Sequence, residues 1–175
     1  RPGDEATRGE FVKLIVELSG GIRSGPYEIP EFDDIDSTNP LYEYFEEAGA
    51  QFWLKGDGGC YRNIRPCYAH PDRPINRAEA ATLIMRAFNK TPSDETVDFD
   101  DNVMGQWYWK SIRSAASLCI LKGDEGSKNV RPGDNMNRAE MIVMLWRIHA
   151  NLQYPNCDES FENAALPQAP NKKDF

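Results

Sequence analysis

Arg131–Glu140 reads RPGDNMNRAE, and Arg1–Glu10 reads RPGDEATRGE. A near copy of ten letters, 130 positions apart, is longer than composition alone produces and marks an internal repeat. A third version stands between them: INRAEAATLIMRAF (Ile75–Phe88) answers MNRAEMIVMLWRIH (Met136–His149). In each copy a side chain able to accept a backbone hydrogen bond precedes the arginine: Thr7, Asn76 and Asn137. A glutamate follows three residues later, at Glu10, Glu79 and Glu140, which is the spacing of a capping box at a helix start. The apolar residues downstream recur at helical spacing: Leu14, Ile15 and Leu18; Leu83, Ile84 and Ala87; Met144, Leu145 and Ile148. Three short amphipathic helices of this kind are predicted to bury their apolar faces in one bundle.

A second pattern lies upstream of the motif. FDDIDSTNPLYEYFEEAGAQFWLKG (Phe32–Gly56) aligns without a gap on FDDNVMGQWYWKSIRSAASLCILKG (Phe99–Gly123). Leu41, Phe45, Ala48 and Phe52 in the first, and Tyr108, Ile112, Ala115 and Cys119 in the second, predict amphipathic helices. Gly56 and Gly123, each preceded by a lysine, read as left-handed helix stops. NIRP (Asn63–Pro66) reads as the counterpart of NVRP (Asn129–Pro132), which puts an insertion after it, in CYAHPDRP. The Gly- and Pro-rich connections predict ordered turns, with short β-like pairing around Ile64 and Val130.

The chain divides accordingly. Residues 1–22 are the back half of a repeat, 23–31 a linker, 32–92 a full repeat with a loop insertion, 93–151 a second full repeat and 152–175 a tail. The tail has no apolar period and is expected to dock, if at all, through Tyr154, Phe161 and Leu166. The opening at mid-repeat is expected to reflect truncation or processing, and another chain supplying the missing half is the alternative.

A formal charge of −8 argues against general nucleic-acid binding, which needs a broad basic face. No apolar run is long enough to span a membrane. Cys60 and Cys67, in a Gly- and Pro-rich loop, are candidates for a disulfide; zinc fits less well because their spacing is not C-x-x-C and no second pair follows. Cys119 reads as a small core residue and Cys157 as a tail cysteine, free or bridging to another chain. Asp34, Asp36 and Thr38 alternate as in a calcium loop, but Asn39 and Phe45 stand where glycine and glutamate belong. No cofactor and no metal are expected. Motifs for a nucleophile elbow, a metalloprotease or a phosphate loop are absent, and His70 and His149 have no partner at a catalytic spacing, so catalysis is not expected.

The assembled pattern is Phe-Asp-Asp, an aromatic-rich helix, Leu-Lys-Gly, a turn, then Thr/Asn-Arg-Ala/Gly-Glu opening a second helix. It resembles the S-layer homology repeat of bacterial surface proteins over roughly residues 1–151. The resemblance implies a mainly α fold, with tandem helix-loop-helix repeats packed as a pseudo-threefold bundle. It implies binding of an anionic, often pyruvylated, cell-wall polysaccharide linked to peptidoglycan, in grooves between repeats. It assigns Arg8, Arg77 and Arg138 as anion contacts, with Asp34, Asp101, Trp107, Gly56 and Gly123 shaping the grooves. Asp57 and Asp124 stand where the family has an aromatic after the glycine, and Pro40 stands opposite Trp107.

Physical chemistry offers the arginines two roles. A guanidinium at a helix start suits a carboxylate ligand. It can equally pair with internal acids such as Glu10, Asp33 or Asp100 and hold the turn. Of Trp107, Tyr108 and Trp109, one is expected to be exposed and two packed. The expected function is non-catalytic attachment to the cell envelope from outside the cell. The alternative is a structural subunit that assembles with copies of itself or with other surface-layer chains.

Overall fold

In a computed structural model of the chain, residues 1–25, 27, 31–57, 60, 65–90 and 97–153 are described here, with side chains through residue 151. The fold is mainly helical. Five helices, α1 (Arg8–Leu18), α2 (Tyr42–Ala50), α3 (Arg77–Ala87), α4 (Trp109–Ser117) and α5 (Arg138–Gln153), are joined by ordered turns, with no strand among the described residues. α1 packs on α2, α3 and α5, and α3 packs on α4.

The three motif helices begin together. The amide of Ala6 donates to the carbonyl of Met136 (2.9 Å), that of Met136 to Ile75 (2.9 Å), and that of Ile75 back to Ala6 (3.0 Å). All three residues are buried, so these amides find their partners in one another rather than in water. The first free amides of each helix then reach the loop of the next. Arg8 and Gly9 donate to the carbonyls of Arg73 and Pro71, Arg77 and Ala78 to Asp134 and Pro132, and Arg138 and Ala139 to Asp4 and Pro2. The reciprocal capping boxes form at all three starts. Thr7, Asn76 and Asn137 accept from the amides of Glu10, Glu79 and Glu140, whose carboxylates accept from the cap amides in return. Asparagine serves here as well as threonine.

The helix stops differ from the expectation. Gly56 and Gly123 are not left-handed; Phe52 (φ 58°) and Cys119 (φ 58°) are. Each closes its helix by two reverse bonds: Phe52 and Trp53 donate to Gly49 and Ala48, and Cys119 and Ile120 donate to Ala116 and Ala115. This turn throws Phe52 out of the helical face, where it is 79% exposed, and Cys119 is half-buried and disulfide-bonded rather than a core residue. Trp53, Leu54, Ile120 and Leu121 fill the core instead, beside Phe45, Ala48, Ile112 and Ala115. Leu18, at the end of α1, is likewise exposed. Gly56 and Gly123 are required for closeness. A Cβ on Gly56 would lie 2.5 Å from Cys60 Sγ and 2.7 Å from the Tyr68 carbonyl, and one on Gly123 would lie 2.6 Å from Phe99 and 2.8 Å from the Asn129 carbonyl.

The insertion also lies elsewhere. Asp57 exchanges backbone hydrogen bonds with Tyr68, while Asp124 donates to Asn129. His70 (φ 51°) and Arg131 (φ 50°) then hold the same left-handed conformation. YAHP (Tyr68–Pro71), not NIRP, is therefore the counterpart of NVRP. From Gly56 to Pro71 is fifteen positions, against nine from Gly123 to Pro132, so six extra residues precede Tyr68. The Cys60–Cys67 disulfide closes this excursion (Cα–Cα 4.9 Å). Ile64 and the tail from Tyr154, including Cys157, lie outside the described residues.

The linker is tied to α2 by two adjacent, fully buried carboxylates. Glu47 accepts from the amides of Arg23 and Ser24, the Tyr27 hydroxyl and the Gln51 side chain, and Glu46 accepts from the Glu31 amide with both oxygens. Burial raises the pKa of Glu46. At Glu47 burial acts in the same sense, but the converging donors outweigh it and its pKa is lowered.

Candidate ligand-binding site

The motif arginines sit at the first turn of α1, α3 and α5, so each guanidinium emerges where one helix start meets the loop of the next. Arg8 Nε donates to the Ala69 carbonyl (2.9 Å), and its Nη1 lies 3.5 Å from Glu79. Arg77 Nε donates to Val130 (2.7 Å), its Nη2 to Lys122 (2.8 Å), and its Nη1 lies 3.5 Å from Glu140. Arg138 completes the cycle by donating to Glu10 from Nε (3.0 Å) and Nη2 (2.6 Å). Each motif arginine thus pairs with the capping glutamate of another repeat, and the three pairs close a ring. Arg8 and Arg77 are buried, and burial lowers both pKa values, though an arginine stays charged at any physiological pH. The Arg138 side chain is 37% exposed; its hydrogen bonds to Glu10 raise its pKa and lower that of Glu10.

Asp34 and Asp101 hold the loops. Asp34 accepts from the amides of Ala69 (2.6 Å) and His70 (2.7 Å), and Asp101 from those of Val130 (2.9 Å) and Arg131 (2.7 Å). The carbonyls of Ala69 and Val130 are the ones that Arg8 and Arg77 use, so the aspartates position the acceptors of the arginines. Gly56 and Gly123 lie under the same loops.

Trp107 is 60% exposed, with its ring edge-on to Tyr108 (centroids 5.2 Å apart). Tyr108 packs on the core, and Trp109 is half-buried under the Arg113 guanidinium (4.7 Å), which pairs with Asp98 (2.9 Å). Met104 and Val103, on the turn before Trp107, are also exposed. Asp36 turns inward on Thr38, accepting from its amide and hydroxyl.

A cleft of about 520 Å³ opens beside the start of the middle repeat, lined by Phe32, Asp33, Ile35, Asp36, Ser37, Tyr42 and Arg65. Arg65 Nη1 donates to Asp33 (2.5 Å), whose other oxygen accepts from the Cys67 amide (2.6 Å), and both acts lower the Asp33 pKa, the amide bond foremost. The cleft thus holds two aromatic rings, those of the nearly buried Phe32 and of Tyr42, with one half-exposed guanidinium and two carboxylates. Arg65 comes from the extra residues of the middle repeat, and none of these groups stood among the sequence-derived ligand contacts. The one signal for them is that Tyr42 aligns with Trp109, an aromatic at the same place in both front helices.

Residues 98–142 match the S-layer homology domain. The chain is 33% identical over 82 residues to an amylopullulanase of Thermoanaerobacterium thermosulfurigenes, covering 47% of this chain and 4% of that protein. It is 32% identical over 82 residues to exoglucanase XynX of Acetivibrio thermocellus, covering 7% of that protein. With cell surface glycoprotein 1 of Acetivibrio thermocellus it is 25% identical over 160 residues, covering 84% of this chain and 6% of that protein. The chain therefore spans less than a tenth of the length of these relatives, and their catalytic names describe proteins far larger than the shared part. No helix among the described residues is long and apolar enough to cross a membrane. The match to the S-layer homology domain, at residues 98–142, takes in α4 and the first turn of α5.

Proposed function

We propose that the chain is a non-catalytic attachment module at the cell surface, and that it holds an anionic cell-wall polysaccharide, in the finer reading a pyruvylated one. Its repeats are read as a pseudo-threefold bundle, divided at residues 1–22, 32–92 and 93–151, and the hydrogen-bond cycle Ala6–Ile75–Met136 supports that division. The observation that carries the binding reading is the cleft at Tyr42 and Arg65. An aromatic ring suits the C–H face of a sugar, carboxylates accept from its hydroxyls, and a guanidinium fork suits an acidic substituent. Trp107, exposed within the matched residues, offers a second stacking face.

In this reading Arg8, Arg77, Asp34, Asp101, Gly56 and Gly123 act on the ligand through the shape of the loops. Arg138 keeps an exposed edge for an anion. Co-sedimentation with purified wall sacculi tests the reading. Tyr42→Ala and Arg65→Gln are expected to reduce the bound fraction at least tenfold, with the circular dichroism spectrum unchanged. Undiminished pelleting of the double variant would defeat it. The competing reading, assembly with surface-layer chains, predicts instead concentration-dependent polymer without sacculi.

A further inference from the structure

The cross-linked excursion of the middle repeat ends at the cleft. Asp57 and Tyr68, which exchange backbone hydrogen bonds at its neck, stand eleven positions apart, against five for Asp124 and Asn129 in the last repeat. A longer connection has more conformations to lose when it is ordered. Cys60 and Cys67 remove part of that freedom by a covalent link inside the neck. The link is seated rather than hung in solvent. Cys67 is buried, and a Cβ on Gly56 would lie 2.5 Å from the Cys60 sulfur and 2.7 Å from that of Cys67.

Cys67 reaches the cleft through its main chain. Its carbonyl accepts from the Asp33 amide (2.7 Å), and its own amide donates to Asp33 Oδ2 (2.6 Å). Arg65, two positions earlier, donates from Nη1 to Asp33 Oδ1 (2.5 Å). The guanidinium is thus held by a carboxylate whose other oxygen is fixed by a cross-linked residue. In the last repeat Asp100 likewise donates its amide to the carbonyl of Lys128 (2.9 Å), but residues 125–128 include neither cysteine nor arginine. The disulfide and the guanidinium enter the molecule together.

We propose that the Cys60–Cys67 disulfide is a positioning element of this cleft, holding Arg65 against Asp33 so that an acidic group on a ligand meets a guanidinium already in place. Its contribution is preorganisation. Without the link, the ordering of the segment around Arg65 falls on the binding step. Affinity for an anionic sugar then drops, while a neutral one is held as before by the aromatic rings. For its ligand the inference rests on the glycan reading of the cleft; for its geometry it rests on the Asp33 contacts alone.

The test replaces the link by Cys60→Ser with Cys67→Ala in the full chain, which leaves the disulfide of Cys119 untouched. One readout is the titration of the Asp33 carboxyl, followed by nuclear magnetic resonance of its carboxyl carbon. In the parent the Cys67 amide, and after it Arg65, hold the Asp33 pKa below the ordinary carboxylate value. Removing the link is expected to raise it towards that value. The other readout is calorimetric titration with wall polysaccharide. The variant is expected to bind the intact glycan about fivefold or more weakly, and to bind glycan stripped of its acidic groups as the parent does. Arg65→Gln should then cost little further, the non-additivity of two groups that act as one. An Asp33 titration that does not move, with Arg65→Gln costing as much without the link as with it, would overturn the proposal. If no chain binds glycan, the wall reading fails, and the Asp33 titration alone decides the positioning role. Should the double variant not fold, Cys60→Ser alone is read in the same way.

Discussion

The Arg8 guanidinium lies 3.5 Å from Glu79, the residue that caps the motif helix of another repeat. Repeated at Arg77 with Glu140 and at Arg138 with Glu10, this relationship makes one four-letter motif cap its own helix and lock a neighbouring one. The members differ in burial, and that difference sets the cost of losing each.

Arg77→Ala strips the buried Val130 carbonyl, the part-buried Lys122 carbonyl and the half-exposed Glu140 carboxylate of their donor. It is expected to lower stability by about 1–3 kcal/mol, chiefly through the Val130 carbonyl left unpaired in the core, read by urea denaturation. Arg77→Lys should recover only part, since one ammonium cannot serve Val130, Lys122 and Glu140 together. Arg138→Ala, at the more exposed member, should cost clearly less. Equal losses at the two positions would show that burial does not govern the ring.

Phe52 holds a left-handed φ of 58° while its side chain stands almost wholly in solvent. A side chain in that conformation carries a steric penalty of about 1–2 kcal/mol that glycine escapes. Phe52→Gly is therefore expected to stabilise the protein by about 1 kcal/mol, after glycine's larger entropy in the unfolded chain is allowed for. Thermal denaturation reads this directly, and a lower Tm would contradict the assignment of Phe52 as the helix stop.

The adjacent carboxylates of α2 should respond oppositely to neutralisation. Glu47→Gln turns an amide group toward four donors and is expected to cost about 2–3 kcal/mol. Glu46 has a raised pKa through burial, so its carboxylate form is disfavoured in the folded state. Its contribution is present at low pH and is lost as pH rises from the ordinary carboxylate range through the raised value. Glu46→Gln should accordingly gain on the parent as pH rises, and stability curves from acid to neutral pH give the comparison.

Glu10 has the reverse sign. Hydrogen bonds from Arg138 depress its pKa, so its contribution is full above its ordinary value and is lost as pH falls through the depressed one. The expected signature is an acid limb that Glu10→Gln flattens, with lower stability at neutral pH. A variant whose acid limb matches the parent's would remove Glu10 from the pH-sensitive groups.

Helix starts were more legible than helix stops, for a physical reason. A capping box is local and needs an acceptor and a glutamate at fixed spacing, so Thr7–Glu10, Asn76–Glu79 and Asn137–Glu140 could be read residue by residue. A Schellman stop usually announces itself by glycine, and here Phe and Cys occupy that place, held by the burial of Trp53, Leu54, Ile120 and Leu121 that follow. The glycines that drew attention, Gly56 and Gly123, answer instead to the closeness of the loops above them. The insertion was misplaced because NIRP matches NVRP in letters. The carboxylates of Asp34 and Asp101, which choose the true counterpart, lie some thirty positions away. The arginine motif was visible, and so was Glu10 as an internal partner; which arginine meets which group was not, since the hydrogen-bond partners lie 45 to 128 residues distant. The cleft at Tyr42 and Arg65 was illegible for the same reason.

Calorimetric titration of the chain with soluble wall polysaccharide, before and after chemical removal of its acidic substituents, tests anionic glycan attachment most directly. The account predicts saturable binding to the intact glycan, weakened at least tenfold both by removing the acidic groups and by Arg65→Gln. Binding that is indifferent to the acidic groups and to Arg65, or no binding at all, would contradict it.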